Sequence, residues 1–155
     1  MVPKPEQSGK AHFPSINAYE DTVVVTWSQY DYGIESESGV EIFFRIFDGL
    51  GTATTDIMPL GEGDGIPQSI FDESGNIAII YGHSSNYLLK MNLFNQTGDL
   101  IKEVEQKDEQ FRYIGDAASG NNPYICFNND SEDNTPPRYN YSLYLGRIDF
   151  ESLVK

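Results

Sequence analysis

The chain has 155 residues, a formal net charge of −14 (24 Asp+Glu against 10 Lys+Arg), 39% hydrophobic residues and 13% aromatics. That is enough for one ordinary domain with a real core, and its acidity argues against nucleic acid or an anionic membrane as partner, because phosphate contacts need clustered cations. Cys126 stands alone, so no internal disulfide and no cysteine-built zinc site is expected, and no apolar run reaches the roughly 18 residues of a membrane span.

The first stretch, MVPKPEQSGK, is polar and carries two prolines. It lacks the apolar region of a signal peptide. A flexible lead-in over 1–12 is expected, followed by a single β domain over 13–155.

Internal similarity organises the rest. Pro14 to Gln29 (PSINAYEDTVVVTWSQ), Pro67 to Ser84 (PQSIFDESGNIAIIYGHS) and Ile114 to Asn129 (IGDAASGNNPYICFNN) align. Each passes through a polar turn into a β-rich run that ends in an aromatic: Thr22–Trp27, Ile77–Tyr81 and Tyr124–Phe127. Each continues through a polar loop into a second β-rich run: Val40–Phe47, Tyr87–Phe94 and Tyr141–Ile148. The first two then share an Asp/Asn-x-x-Gly turn, at Asp48–Gly51 and Asn95–Gly98. The period is about 50 residues, within the range of propeller blades. Repeats are placed at about 13–66, 67–113 and 114–155. β-Branched runs bounded by turn residues read as buried strands. Each repeat therefore reads as strand–turn–strand–loop–strand–turn–strand, one four-stranded antiparallel blade.

One stretch dissents. Asp99 to Gln110, DLIKEVEQKDEQ, has helix-forming composition, with Leu100, Ile101 and Val104 at helical spacing. Its place in the repeat predicts an outer strand over about Leu100–Val104, then a charged connector, and the repeat takes precedence over propensity.

The fold class is thus all-β, with about three propeller-type blades; a β-sandwich is the alternative. Pro14-Ser15-Ile16-Asn17-Ala18, Val23-Val24-Val25-Thr26-Trp27-Ser28-Gln29 and Glu41-Ile42-Phe43-Phe44-Arg45-Ile46-Phe47-Asp48 with Gly51-Thr52 resemble β-propeller blade repeats of large bacterial surface and secreted adhesion-type proteins. The second repeat keeps the frame with Tyr81 for Trp and Asn92 for Arg. The third echoes it only in Arg147-Ile148-Asp149. The resemblance implies blades, a place outside the cell or at its surface, and a role in adhesion, ligand binding or scaffolding. It implies no particular chemistry. Propellers close with four to eight blades, so three blades need either the remaining blades or a self-associating copy.

Four tyrosines carry the binding expectation. Tyr30 and Tyr32, and Tyr139 and Tyr141, are expected in loops between the second and third strands of their blades. Tyrosine among Asn, Asp and Gln suits a glycan or protein ligand, giving stacking area and a hydroxyl at low entropic cost; it equally plugs gaps between blades. Calcium is the cofactor the oxygen-rich, glycine-bent loops would take, at Asp48, Asp64, Asp130 and Asp133, although no EF-hand spacing is present and hairpin turns explain the first two of these loops.

Catalysis is not expected. The rival reading is a fragment of a carbohydrate-active propeller enzyme using loop carboxylates, drawn from Asp31, Glu35, Glu37, Glu62, Asp64, Asp130, Glu132 and Asp133. His12 and His83 are isolated, and no nucleophile elbow or phosphate loop occurs. Asn95, Asn129 and Asn140 open Asn-x-Ser/Thr sequons.

Overall fold

The computed structural model describes residues 10–30, 40–83, 88–107, 111–118, 124–130 and 141–147, with backbone alone at 64, 65, 83 and from 107 onward. The strands are β1 (Lys10–Tyr19), β2 (Thr22–Tyr30), β3 (Val40–Asp48), β4 (Met58–Glu62), β5 (Asp64–Phe71), β6 (Ile77–His83), β7 (Leu88–Phe94), β8 (Leu100–Lys107), β9 (Phe111–Ala118), β10 (Tyr124–Asp130) and β11 (Tyr141–Arg147). No helix occurs among the described residues. β1–β4 form one antiparallel sheet in chain order, β5–β8 a second, and β9–β11 a third of three strands. The first two sheets are the four-stranded units that the repeat predicts.

Local chemistry explains the details. Pro14 cannot donate to a ladder, so β1 bulges between His12 and Ser15, with Phe13 at φ 49°. Pro67 falls in the matching irregularity of β5, between Asp64 and Gln68. Lys10, Ala11 and His12 were expected in the lead-in but pair with Tyr30, Gln29 and Ser28 on β2. β8 is a strand despite its helical composition, because β7 supplies a full ladder for it, with Met91 opposite Val104 and Lys90 opposite Glu105. The last pair is also an ion pair at 3.4 Å.

The first two sheets pack face to face. Val24, Phe44 and Ile46 of one meet Phe71, Ile77, Ile79 and Phe94 of the other, and Tyr19, Met58 and Leu60 close the margin. Phe44 and Phe94 ring centroids lie 4.7 Å apart in tilted contact. Each such side chain contributes about 1.5–3 kcal/mol through burial. β2 is buried only at alternate positions, Val24, Thr26 and Ser28, whereas Ile77–Gly82 of β6 is buried throughout. The first strands adjoin in a row, with β5 between β1 and β9.

Tyr81 ties the first two sheets together at the outer side. Its hydroxyl donates to the Leu60 carbonyl of β4 at 2.8 Å. Gly63 lies directly beneath its ring, where a Cβ would come within 2.7 Å of Tyr81 Cδ2 and 2.9 Å of Ile42 Cγ1. Burial, with smaller contributions from Glu103 and Glu105, pushes the Tyr81 phenol up to about 12. A raised acid of this kind favours the folded state fully below its unfolded value near 10, and the benefit is lost as pH rises toward about 12.

Phe44→Ala should cost about 3–5 kcal/mol in urea unfolding, through lost transfer energy and the cavity left behind. Tyr81→Phe should cost about 1–3 kcal/mol by orphaning the Leu60 carbonyl, and should flatten the loss of stability between pH 10 and 12 in an alkaline titration followed by circular dichroism.

Candidate functional site

The strand ends sort onto two sides. One side carries tight hairpins. β1 and β2 are joined by Glu20-Asp21, with Glu20 at φ 49°, so Tyr19 faces Thr22 directly. The other hairpins on this side share one design. In Asp48-Gly49-Leu50-Gly51-Thr52 the Asp48 Oδ1 accepts from the Leu50 and Thr52 amides at 3.0 and 2.7 Å. Asp72 accepts from Ser74 and Asn76, both at 2.8 Å. Asn95 accepts from Thr97 and Asp99 at 3.0 and 2.8 Å. In each, the fourth residue is glycine at positive φ: Gly51 at 81°, Gly75 at 77° and Gly98 at 88°. Only glycine adopts that conformation without steric cost.

The opposite side launches the connections between second and third strands. Residues 31–39 leave from Tyr30 and re-enter at Val40; residues 84–87 run from His83 to Leu88. The crossing between the first two sheets lies here too, where the Gly63 amide donates to the Val40 carbonyl at 3.2 Å.

The expected ligand residues distribute as follows. Tyr30 closes β2 rather than entering the loop, because β1 extends to Lys10 and pairs with it. It is half-buried, with the His12 ring edge-on at 5.0 Å. Tyr141 opens β11 and pairs with Asp130, the last residue of β10. Tyr32, Tyr139 and Asp133 lie outside the described residues. Asp64 opens β5 opposite Gly82. Asp48 is at the hairpin side, and Asp64 follows Gly63 at the far end of β3. Eight strand steps separate Val40 from Asp48, roughly 26 Å. Asp48 and Asp64 therefore cannot share an ion, and Asp48 spends its oxygen on turn amides. Among the described residues no group of three or more His, Cys, Asp or Glu side chains converges on a metal position.

Sequence reasoning missed a polar seam between the first two sheets. The Ser15 hydroxyl meets Gln68 Oε1 at 3.1 Å, Asn17 Nδ2 donates to the Ser69 carbonyl at 2.7 Å, and the Thr26 hydroxyl donates to the Pro67 carbonyl at 3.1 Å. The Ser28 hydroxyl donates to the His12 carbonyl at 3.2 Å. His12 Nε2 and Ser69 Oγ are buried with no hydrogen-bond partner among the described residues. It also passed over Glu41, which stands opposite Glu62 in the β3–β4 ladder. Asp72 was legible, since Asp72-x-x-Gly75 repeats the pattern of the other two turns.

A comparison with models of known protein families finds no match, and a search of curated proteins finds none either. Among solved structures, an alpha-L-arabinofuranosidase from Lactobacillus brevis superposes with a TM-score of 0.56 at 9% identity, over 89% of this chain and 52% of that one. The likeness is one of fold. The chain spans about half the length of that enzyme.

The hairpins supply a direct test. Asp72→Ala removes a carboxylate that serves two backbone amides and Asn76 Nδ2, and should cost about 1–3 kcal/mol by thermal unfolding. In the third turn, hydrogen bonds from Asn95 and then Thr97 hold the Asp99 carboxyl below its usual value of 3.8. Its contribution is complete above that value and fades as pH falls through the lowered one. The Thr97 and Asp99 amide resonances should therefore titrate below pH 4, and Asn95→Ala should move that midpoint upward.

Proposed function

We propose that the chain is a non-catalytic, β-propeller-type repeat segment that binds a glycan or a protein ligand, outside the cell or at its surface. The observation that carries the reading is the row of sheets whose first strands, β1, β5 and β9, adjoin. Propeller blades are ordered this way, with the first strand innermost. The connections between second and third strands leave such an assembly on one side, so Tyr30, and Tyr141 beside Asp130, stand at the roots of the loops that would receive a ligand. The hairpin acids support a structural role, since Asp48 and Asp72 are engaged in capping turns.

A second reading is a fragment of a carbohydrate-active enzyme. Two observations favour it: the fold likeness to an arabinofuranosidase and the facing of Glu41 and Glu62. Directly opposed residues have Cβ atoms about 4.5–5.5 Å apart, and like charges there are unfavourable unless something uses them. Retaining glycosidases separate their carboxyl groups by about 5–5.5 Å.

One assay separates the two. The protein is titrated with arabinan oligosaccharides in a calorimeter and, in parallel, incubated with a chromogenic α-L-arabinofuranoside. The binding reading expects saturable heat with no release of chromophore, and a roughly tenfold or greater loss of affinity in Tyr141→Ala at unchanged melting temperature. Release of chromophore that disappears in both Glu41→Gln and Glu62→Gln would replace it with the enzymatic reading. Silence in both assays, repeated across a glycan and protein-ligand array, would remove the binding role.

A further inference from the structure

The fourth strands of the first two sheets differ as edges. β4 has five residues and carries Pro59. Its ladder loses register between Ile42 and Phe43, and Gly61 sits at φ 103°. A short strand, a proline and a bulge are common means of blunting an edge. β8 has only an irregularity at its start, between Leu100 and Lys102. It has eight residues without Pro or Gly, and from Lys102 to Lys107 it follows β7 without a break. Leu100 to Glu103, Glu105 and Gln106 are exposed, and Val104 is half-buried, so the strand is open to solvent on both faces. Among the described residues its far side has no ladder partner.

The charges on β8 are sorted by face. Alternation puts Glu103 and Glu105 on one face, and Lys102, Val104 and Gln106 on the other. β7 answers one of these charges. Lys90 stands opposite Glu105 and pairs with it at 3.4 Å, whereas Glu103 and Lys102 stand opposite Asn92 and Leu93, which carry no charge.

We propose that β8 receives an extended segment of another protein as a further antiparallel strand. The segment carries Lys or Arg opposite Glu105, an apolar residue opposite Val104, Lys or Arg opposite Glu103 and an acid opposite Lys102. In its own chain order this is a Lys-Val-Lys-Glu core. Backbone hydrogen bonds to the open edge give affinity, and the alternating side chains give the choice of partner. Opposite charges facing across a ladder are favourable and like charges unfavourable, so the same residues that admit this segment reject its charge-reversed counterpart. The first Lys of the segment continues a row in which Lys90 and Glu105 already alternate. The net charge of −14 adds long-range attraction for a cationic segment. A second copy of this sequence does not supply it, since no two Lys or Arg residues stand two apart anywhere in the 155 residues. The surface is also separate from the strand ends where Tyr30 and Tyr141 stand, because β8 is the strand farthest from β5 in its sheet.

The test uses the whole protein and two synthetic peptides, one built around Lys-Val-Lys-Glu and the other around Glu-Val-Glu-Lys. Each is titrated by calorimetry at low and high salt, and hydrogen exchange is followed at the β8 amides. The first peptide is expected to bind, the second to bind roughly fivefold or more weakly, and salt to weaken the first. The alternate β8 amides that point away from β7 slow their exchange on binding. Glu103→Lys weakens the first peptide by a similar factor at unchanged melting temperature; should that variant unfold, the two peptides on the unaltered protein decide the matter. Equal affinity for both peptides overturns the proposal, as does a preference for the second, a failure of both to bind, or binding that leaves the outward amides unprotected. Tyr141→Ala leaves the peptide affinity unchanged, so failure here leaves the loop-binding role standing, and the reverse. A loss of peptide affinity in Tyr141→Ala would place the peptide at the loops and overturn the edge site.

Discussion

A strand covered on both faces needs an apolar side chain at nearly every position and a sheet on either side. β6 is such a strand: Ile77, Ala78, Ile79, Ile80 and Tyr81 are all buried. Its alternate residues have two different tasks. Ile77, Ile79 and Tyr81 meet the first sheet, through Val24, Phe44, Ile46 and Leu60. Ala78 and Ile80 point the other way, toward the side where β9 lies against the second sheet. Take the burial of β6 away and the sheets have no reason to stand in a row. The arrangement of first strands follows from it.

Apolar packing alone is indifferent to small slides between sheets, because it has no direction. The seam along β1 and β5 removes that freedom. Asn17, Thr26 and Tyr19 each donate across it to a particular backbone carbonyl, at Ser69, Pro67 and Glu73. The Thr26 bond is buried, and a buried hydrogen bond is geometrically demanding and costly to leave unmade. The polar residues that dilute the hydrophobic pattern of these strands therefore set the register between one sheet and the next. Two buried groups, His12 Nε2 and Ser69 Oγ, have no hydrogen-bond partner among the described residues.

Much of this was legible in the sequence. The β-branched runs and the polar turns between them located the strands, and the repeat assigned β8 correctly where composition alone favoured a helix. The chain order within each sheet followed from hairpin chemistry. The candidate site was less legible, for a physical reason. Tyr30 lies in β2 because Lys10–His12 extend the ladder beside it, and pairing of that kind depends on a partner strand rather than on the local sequence. The separation of Asp48 from Asp64 is likewise invisible until β3 is known to run the full distance between them. The Asp72 turn was readable from its spacing, while the seam was not, since isolated Ser, Thr and Asn residues look alike wherever they fall.

Among the described residues the outer edge of β8 has no ladder partner, and Leu100 and Ile101 are exposed beside it. Such an edge invites a second molecule to add a strand. In an antiparallel pair, facing residues must point to the same side, so only alternate registers are available to two identical strands. In every symmetrical register that keeps most of β8 paired, like charges meet: Lys102 opposite Lys102, Glu103 opposite Glu103, Glu105 opposite Glu105, or Glu103 opposite Glu105. Each opposition is unfavourable. The charge pattern that gives this stretch its helical look is thus a guard against fibre-like growth along the sheet.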